Sequence, residues 1–485
     1  MATEILVNVG AGEIRVARVV DERLEDYFFE RILGGDAAHQ VGDIILGRVQ
    51  RVMPGMQAAF VEIGQARAGF LALREARMLA RDATDDTGIS DCVREGEAIL
   101  VQVIKDPIGE KGARLSAGIT LAGRLLVLTP GQPGLALSRR IESEDSRAAL
   151  TQIGKRLLED PRLAPGAGFI FRTAAEDASL EELAQDALAL GEIWRGIDEK
   201  RKTARPPATL YHDLGPVERT LRDAVRGDVT RVLMDDAAAV EAARAWCRRA
   251  LPHAEALIEY VSEPVFERHG LEDEIAGLSA PRVDLPSGGS ITMEATEALT
   301  AIDVNSGSYA GASALEETGF AVNLEAAREI GRQLRLRGIG GLIVADFIHM
   351  ARPEHREAVV AALAQSLAAD RSPVQMSAMS EFGIVAITRK RVRESLARLA
   401  TEDCAACAGA GRTPTPATVA QEILRRVERE ARAWPGRELL VTAAPSVAAW
   451  LNDHGAAEAL ARRGTARARF EAGAMAREAF DVRPL

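Results

Sequence analysis

The chain has 485 residues, a formal net charge of −11 and a hydrophobic fraction of 47%. This length is too great for a single core, so we expect three or more domains. The sequence contains no apolar run of membrane-span length and no basic, apolar leader pattern, so we expect a cytoplasmic protein without a membrane span. The acidic balance argues only weakly against a nucleic-acid partner. Arginine clusters at 138–147, 332–338 and 389–399 suit phosphate contacts, with solvated helix faces as the equal alternative.

The first part of the chain is rich in strand patterns. Residues 1–35 alternate as a hairpin does, and residues 40–115 contain short strands separated by Gly and Pro turns. This spacing predicts a five-stranded OB-type barrel. The alternation exposes Phe60 and Phe70, and such barrels stack aromatic rings on bases while Lys111 would add a positive charge. Packing of both rings in the core is the alternative, which the pattern alone favours.

The middle and end of the chain change character several times. A mixed α/β segment at 119–210 ends in a polar linker, and residues 216–275 are predicted to be mostly helical. A further unit covers 280–400, and the tail at 415–485 is rich in Ala and Arg. No internal repeat or low-complexity run is present, so the chain divides into several units of different composition.

Two apolar strands of the 280–400 unit each end on an aspartate. "TAIDVNSGS" carries Asp303, and "GGLIVADFIHM" carries Asp346. The helix predicted between them has an apolar stripe at Ala326, Ile330 and Leu334. A strand–helix–strand order predicts parallel, adjacent strands about 4.8 Å apart. The two carboxylates should therefore lie side by side at the carboxyl edge of the sheet, where α/β sheets bind ligands.

Two carboxylates at this separation favour a bound cation, because one of them would otherwise take up a proton. Mg²⁺ fits Asp303 and Asp346, since it is usually held by one or two carboxylates together with water and substrate phosphate. Asn305 is placed to orient Asp303 or to contact the substrate. Such an ion activates water and stabilises the transition state of phosphodiester cleavage. Capping of a turn or helix by each aspartate is the alternative, and the matched pair favours the metal.

Three stretches carry a more specific pattern. They are "LPSGGSITMEATEALTAIDVNSG" at 285–307, "NLEAAREIGRQLRLRGIGGLIVADFI" at 323–348 and "CAACAGAGR" at 404–412. These stretches resemble the ribonuclease E/G family, and the resemblance extends over most of the chain. It implies a Mg²⁺-dependent bacterial endoribonuclease that cuts single-stranded, often A/U-rich RNA. The implied products carry 5′-phosphate and 3′-hydroxyl ends, and the implied roles are rRNA processing and mRNA decay.

The resemblance also implies a multi-domain α+β fold. In it, an RNase H-like fold is interrupted by an OB-type RNA-binding barrel and a 5′-sensor domain, and a DNase I-like α/β catalytic domain, a Zn-link and a small C-terminal domain follow. The implied bounds are 1–35 with 215–278 for the RNase H-like domain, 36–118 for the barrel, 119–214 for the sensor, 279–400 for the catalytic domain, 401–414 for the Zn-link and 415–485 for the C-terminal domain. The long disordered scaffold of many family chains is absent, so no platform for degradosome partners is expected.

Residue roles follow from the same resemblance. Asp303 and Asp346 would ligate Mg²⁺ and Asn305 would support Asp303. Arg337 is a candidate for holding the scissile phosphate, with capping of its helix as the equal alternative. The RNA-contacting positions of the barrel match Phe60, Phe70 and Lys111, which reverses the core interpretation of the two rings.

A pocket for the 5′-phosphate of RNA is also implied. The matching positions are Gly123, Val127, Arg172 and Thr173. An arginine grips phosphate oxygens in pairs, and a threonine hydroxyl adds a further donor. Pro373 stands where a second basic residue is expected. Arg371, two residues earlier, is the alternative donor. We therefore predict a sensor that works through Arg172 and Thr173 but discriminates less strongly between 5′ ends.

Four cysteines are present, and Cys404 and Cys407 form a C-x-x-C pair. A tetrahedral Zn²⁺ site needs four ligands, so one pair fills half of it. The resemblance implies that two chains share one Zn²⁺, which gives a dimer or a tetramer. Without the resemblance, a free reduced pair is an equal alternative. Ala405 stands where the family commonly has proline.

Two other classes of function compete with a ribonuclease. A non-catalytic RNA-binding protein would use the barrel, but it would need neither aspartate of the matched pair. A DNA nuclease would use the aspartates, but the barrel and the sensor segment favour RNA. Cleavage assays on both nucleic acids distinguish these classes.

Overall fold

The computed structural model describes residues 2–33, 41–80, 84–105, 112–160, 166–225, 228–307, 315–370, 372–391, 393–407 and 409–485. The chain divides into two compact units, Met1–Leu396 and Ala397–Leu485. Strands and helices are mixed throughout both units. Among the described helices, none combines the length and the apolar character that crossing a membrane requires.

The chain begins with an antiparallel meander. Its strands are β1 (Thr3–Val9), β2 (Glu13–Val20) and β3 (Arg23–Arg31). Successive side chains of a strand point to opposite faces. Ile5 and Val7 therefore join one core and Leu6 joins another, and all three are fully buried. Strand β1 is thus covered on both faces of its sheet.

A small closed barrel follows. Its elements are β4 (Ile44–Met53), β5 (Ala58–Glu62), β6 (Gly69–Ala72), α1 (Leu73–Ala76), α2 (Ile89–Cys92), β7 (Ala98–Lys105) and β8 (Arg114–Ser116). The strand order is β4-β5-β6-β8-β7, and β7 pairs back onto β4 with Val101 opposite Ile45. This closure confirms the small barrel that the strand spacing predicts.

A smaller sheet packs beside the barrel. Its elements are β9 (Leu121–Ala122), β10 (Leu126–Thr129), β11 (Gly134–Leu137), α3 (Glu144–Leu158), β12 (Gly168–Phe171) and α4 (Leu180–Thr203), in the strand order β11-β12-β10-β9. Phe169 and Phe171 share a core with Ile44 and Leu46 of the barrel. Strand β13 (Ala208–Tyr211) then pairs with β4. The small sheet is therefore anchored to the barrel by a common core.

The chain next returns to the first sheet. The elements are α5 (Pro216–Ala224), β14 (Val229–Met234), α6 (Ala237–Ala250), α7 (Pro252–Glu255), β15 (Ile258–Tyr260), α8 (Val265–Arg268) and α9 (Glu272–Gly277). Strand β14 lies parallel to β1, and the sheet order is β15-β14-β1-β2-β3. The prediction of a mostly helical segment at 216–275 missed these two strands, which have 6 and 3 residues.

The sheet that carries both predicted aspartates comes next. Its elements are β16 (Arg282–Asp284), β17 (Ser290–Ala295), β18 (Leu299–Asn305), α10 (Leu315–Leu336), β19 (Gly341–Asp346), α11 (Pro353–Ala368), β20 (Val374–Met376), β21 (Ile384–Arg389) and the short α12 (Leu396–Ala400). The order is β16-β17-β18-β19-β21-β20, and β18 runs parallel to β19 as predicted. The predicted stripe of Ala326, Ile330 and Leu334 is fully buried against this sheet.

Helix α10 ends in a tight glycine motif. Gly338 has a φ of 63°, a conformation that a residue without Cβ adopts most easily. The N–H of Ile339 donates to the carbonyl of Leu334 at 3.0 Å, and the N–H of Gly338 donates to Arg335 at 3.2 Å. This pair of bonds is a Schellman motif, which ends the helix and directs the chain into β19.

The opposite side of α10 is held by buried charges. The guanidinium of Arg332 donates to the carbonyl of Leu24 at 2.6 Å and to Glu329 at 2.8 Å, and it also pairs with Glu274. Arg335, one turn further on, pairs with Glu25 of β3. Helix α10 therefore contacts its own sheet through apolar side chains and the first sheet through ion pairs.

The second unit is an α/β sandwich around a short sheet. Its elements are α13 (Pro416–Ala433), β22 (Glu438–Ala443), α14 (Pro445–Asp453), α15 (Ala456–Arg462), β23 (Arg467–Ala472) and β24 (Phe480–Pro484). The strand order is β23-β22-β24. Thr415 caps α13 by accepting the N–H of Thr418 at 3.2 Å. Val419, Ile423 and Val427 of that helix are buried in the core of this unit.

Replacement of Ile330 by Ala should destabilise the first unit. Ile330 is fully buried between α10 and its sheet, and loss of its side chain leaves a cavity that costs about 2–5 kcal/mol. Thermal denaturation of both variants would measure the difference, with Arg328→Ala on the exposed side of the same helix as the matched control. An Ile330→Ala midpoint equal to that of Arg328→Ala would contradict the described packing.

Candidate active site and binding surfaces

Asp303 and Asp346 are direct neighbours across two parallel strands. They are register partners at the carboxyl ends of β18 and β19, and both are exposed. Adjacent strands lie about 4.8 Å apart, so both carboxylates reach the same small volume. The amide Nδ2 of Asn305 donates to Oδ2 of Asp303 at 2.7 Å. The structure therefore brings together the three residues predicted for catalysis.

The three side chains lie on the open face of their sheet. Ile302 and Val304 point into the core beneath α10, so Asp303 and Asn305 point to the opposite face. Thr292 of β17 is paired with Asp303, and Ile384 of β21 is paired with Asp346. The carboxylates are thus flanked on both sides by ordered strands, with their oxygens facing solvent.

This donor set fits Mg²⁺. Asn305 donates to one oxygen of Asp303, which leaves the other oxygen and the Asp346 carboxylate available. Within the described ranges, no group of three or more His, Cys, Asp or Glu side chains is arranged to hold a metal. A cation between Asp303 and Asp346 would therefore complete its shell with water and phosphate oxygens, as Mg²⁺ commonly does.

Arg337 lies away from the carboxylate pair. It follows the carboxyl end of α10, at the edge of the sheet where β19 begins, whereas Asp346 is the last residue of β19. Its guanidinium is buried and donates to Gln333 at 2.7 Å and to the carbonyl of Ala280 at 2.6 Å. Burial lowers the pKa of Arg337. The structure does not bring this residue to the candidate active site, and its phosphate role stays a prediction.

The two predicted aromatic residues of the barrel form a pair. Phe60 and Phe70 are register partners on β5 and β6, with ring centroids 5.9 Å apart and an edge-to-face angle of 70°. Both rings are half-buried, and the barrel core consists of other side chains. Each ring therefore presents apolar surface on the outside of the barrel. Lys111 lies outside the described residues.

Cations that sequence reasoning missed flank this aromatic pair. Arg51 is opposite Phe60, Arg114 is opposite Phe70, and Lys105 is opposite Arg114. Arg51 and Lys105 are exposed, and the buried Nε of Arg114 has no hydrogen-bond partner among the described residues. Across the strands, one cation, two aromatic rings and two further cations therefore form a row. Surfaces that bind single-stranded nucleic acid have this combination of aromatic rings and positive charge. Only the strand register reveals this row, since its members are distant in sequence.

The predicted sensor residues also lie together. Arg172 donates to the carbonyl of Gly123 at 2.5 Å and to Asp223 at 2.7 Å. Asp223 accepts two further bonds from Arg222, at 2.8 and 3.1 Å. Burial alone would raise the pKa of Asp223, but the guanidinium groups of Arg222 and Arg172 outweigh burial and lower that pKa. The Arg172 guanidinium is therefore already engaged by the Gly123 carbonyl and the Asp223 carboxylate.

The loop beside Arg172 is fixed by a second carboxylate. Asp186 accepts the N–H groups of Leu125 and Leu126 at 2.9 Å each, and burial raises its pKa although these bonds oppose the increase. Val127 pairs with Ala122 and lies half-buried on β10. The hydroxyl of Thr173 lies 3.0 Å from that of Ser138. Internal hydrogen bonds thus fix the positions of the predicted sensor residues.

The cysteine pair forms a local turn in the second unit. The N–H of Cys407 donates to the carbonyl of Cys404 at 3.1 Å, and the N–H of Gly411 donates to the Cys407 sulfur at 3.3 Å. The N–H groups of Ala406 and Cys407, together with the Cys407 thiol, lower the pKa of Cys404. Cys404 is exposed. The described residues offer no third or fourth ligand beside the two sulfurs.

Comparison with known proteins identifies the family of this chain. A sequence model of the ribonuclease E/G family matches residues 120–392. The chain is 37% identical over 457 residues to ribonuclease G of Salmonella typhimurium (strain SL1344) and to ribonuclease G of Escherichia coli (strain K12), covering 92% of this chain and 92% of each relative. It is 38% identical over 402 residues to ribonuclease E of Nostoc sp. (strain PCC 7120), covering 79% of this chain and 58% of that relative. The chain therefore belongs to the ribonuclease E/G family.

Proposed function

We propose that this chain is a Mg²⁺-dependent endoribonuclease that cuts single-stranded RNA and leaves 5′-phosphate and 3′-hydroxyl ends. Its class, an endoribonuclease hydrolase, follows from its family and from its ribonuclease G and E relatives. The observation that carries the metal dependence is the pairing of Asp303 with Asp346 across parallel strands. A protein that only bound RNA would not need this pair, and its exposure leaves room for a substrate phosphate.

The residues divide the chemical work as follows. Asp303 and Asp346 would hold Mg²⁺, and Asn305 fixes the orientation of Asp303 by donating to its Oδ2. When bound, Mg²⁺ supplies a Lewis acid that offsets the negative charge developing on the phosphate. Water attacks the phosphorus and the 3′-oxygen leaves. The phosphate therefore stays on the 5′ end of the downstream fragment.

The RNA-binding surface of the barrel supports a single-stranded substrate. Unpaired bases stack on Phe60 and Phe70, while Arg51, Arg114 and Lys105 neutralise the phosphates beside them. This surface would recognise RNA by base stacking and phosphate charge and not by base identity, so it would accept many RNA sequences. It suits an enzyme acting on varied transcripts in the cytoplasm, including rRNA precursors and messages.

The finer domain names belong to the same proposal. The sheet built from 3–31 and 229–260 would be the RNase H-like domain, interrupted by the barrel and by the sensor. The sheet with both aspartates would be the DNase I-like catalytic domain. A Zn-link at 401–414 would join it to the C-terminal domain. Support comes from the order of the sheets along the chain, which is the order that the family resemblance implies.

The cysteine turn supports a shared Zn²⁺. Cys404 and Cys407 supply two thiolates, and the described part of the chain offers no further ligand nearby. Two chains together would supply the four ligands of a tetrahedral site. Zn²⁺ would then join two subunits, giving a dimer or a tetramer.

Replacement of either catalytic aspartate should abolish cleavage. Asp303→Asn or Asp346→Asn removes one of two carboxylates, so Mg²⁺ affinity falls while the barrel still binds RNA. Cleavage of a labelled single-stranded RNA across a Mg²⁺ titration, with filter binding in parallel, would measure both properties. Glu294→Gln is a matched control, because Glu294 is an exposed carboxylate on neighbouring β17. Near-normal turnover of either Asp variant at low Mg²⁺ would contradict the metal pair.

The 5′ sensor should give a modest preference for RNA with a 5′-monophosphate, and Pro373→Arg should enlarge that preference. Arg172 also donates to Asp223, and Pro373 provides no second donor, so we expect the 5′-phosphate to bind only weakly. A charge-assisted hydrogen bond contributes roughly 1.5–3 kcal/mol, which is about ten- to a hundredfold in affinity. We expect wild type to prefer RNA with a 5′-monophosphate over a 5′-hydroxyl, and Pro373→Arg to prefer it more strongly.

Pro373→Ala serves as the control for this comparison, because it removes the proline ring without adding a cation. If Pro373→Ala enlarged the preference for a 5′-monophosphate as much as Pro373→Arg, the effect would come from a more flexible backbone and not from the added cation. A strong preference already present in wild type and unchanged by Pro373→Arg would contradict the weakened sensor. Arg371, which is also basic, lies outside the described residues.

The zinc content should be about half an ion per chain, because four ligands come from two cysteine pairs. Elemental analysis would measure it, and sedimentation would measure the assembly. Substitution of both Cys404 and Cys407 by Ser should remove the metal and shift the protein to a smaller oligomer. Ala405→Ser, which keeps both thiolates, should change neither. One full Zn²⁺ in a monomer would contradict the shared site.

A further inference from the structure

Phe382 is the feature of the catalytic sheet that the roles above leave unexplained. Its side chain is 81% exposed, more than any other large apolar side chain among the described residues. An exposed phenylalanine gains nothing from burial in the fold, and single examples on a protein surface are common. Its place next to the candidate active site, and not its exposure alone, calls for a role.

The turn that carries Phe382 is fixed to the residue after Asp346. The N–H of Phe347 donates to the carbonyl of Gly383 at 3.2 Å. Gly383 has a φ of 84°, and a Cβ at this position would lie 2.8 Å from the Phe347 carbonyl oxygen. A glycine is therefore required by the close approach of two backbones. The turn cannot move far without disturbing the strand end that presents Asp346.

Hydrogen bonds within the turn also restrict it. Oγ of Ser380 accepts the N–H of Ile384 at 3.1 Å and the N–H of Phe382 at 3.3 Å. The N–H of Ser380 donates to the carbonyl of Ile384 at 2.9 Å, and the N–H of Gly383 donates to that of Ser380 at 3.1 Å. Phe382 is therefore an exposed ring on a rigid support, which lowers the entropy that stacking would cost.

The distance to the carboxylates suits a neighbouring nucleotide. Ile384 is the register partner of Asp346, and paired Cα atoms in antiparallel strands lie about 5 Å apart. Phe382 is two residues from Ile384, so its Cα lies within about 7 Å of that residue. The Cα of Phe382 is thus within roughly 12 Å of the Cα of Asp346. A phosphate held at the pair would place a flanking base within reach of this ring.

We propose that Phe382 stacks on the base of a nucleotide that flanks the scissile bond and so positions the phosphate over Asp303 and Asp346. This inference rests on the proposed function. The neighbouring Glu381 would repel phosphates, so the turn suits a base and not the backbone. Every base has a π-face, so the contact would position RNA with little sequence preference. Phe382 is a positioning residue, and the carboxylates remain the catalytic ones.

The test combines protein variants with modified RNA. Phe382→Ala, Phe382→Leu and Phe382→Trp are compared on one single-stranded RNA with a single cleavage site, and on the same RNA with an abasic nucleotide at each flanking position in turn. Loss of a stacked base should lower kcat/KM about tenfold for Phe382→Ala and for Phe382→Leu. Phe382→Trp, which keeps an aromatic ring, should have a kcat/KM close to that of wild type. Tyr260→Ala, which removes a half-exposed ring from the first sheet, is the control and should match wild type.

The abasic RNA supplies the decisive readout. If Phe382 stacks on a flanking base, the kcat/KM of wild type should fall about tenfold on one of the abasic substrates. The kcat/KM of Phe382→Ala should be the same on that abasic substrate as on the intact RNA. Equal losses by wild type and Phe382→Ala, or unchanged kcat/KM in Phe382→Ala, would overturn the inference while leaving the proposed function intact. A Phe382→Ala protein that changes only its oligomeric state would also overturn it, in favour of a protein contact. Absence of Mg²⁺-dependent cleavage by wild type would contradict the proposed function itself.

Discussion

The parallel register of β18 and β19 is the constraint on which the candidate active site depends. Side chains alternate between faces with a period of two, so a slip of one residue would move one carboxylate to the core side. There it would meet α10 and lose its solvent. Asp303 and Asp346 face each other only because the helix between them ends at Gly338 and returns the chain in the correct register. The placement of the two carboxylates is therefore set by backbone pairing.

Helix α10 has two different partners, and the difference has energetic consequences. Apolar side chains hold it to the sheet that carries Asp303 and Asp346, while Arg332 and Arg335 both pair with Glu25 of β3. Burial alone would lower the pKa of Arg332, but Glu329 and Glu274 outweigh burial and raise it. A buried ion pair adds little net stability, yet removal of one partner leaves a buried charge uncompensated. Loss of a single partner would therefore weaken the contact between α10 and the first sheet.

Sequence reasoning predicted the parts of this molecule that depend on local periodicity. The strand–helix–strand unit followed from the stripe of α10 and the apolar runs before Asp303 and Asp346, and the barrel followed from its turn spacing. The strands β14 and β15 were missed, because they are short and lie between helices. Register between distant strands leaves no local signal. The row that joins Arg51 to Phe60 and Phe70 to Arg114, and the pairing of Arg172 with Asp223, therefore became visible only in the folded chain.

The pairing of β1 with β14 has a consequence for how the protein is made. Ile5 pairs with Val232, so the barrel and the small sheet beside it must be synthesised between the two halves of one sheet. At roughly 5–20 residues per second, a ribosome needs about 10–45 seconds for that interval. Throughout it, β1 has only its hairpin partner and exposes Ile5, Leu6 and Val7, which are fully buried in the finished protein. Strand β1 therefore leaves the ribosome long before the strand that completes its pairing, so closing this sheet is a long-range step in the folding of the first unit.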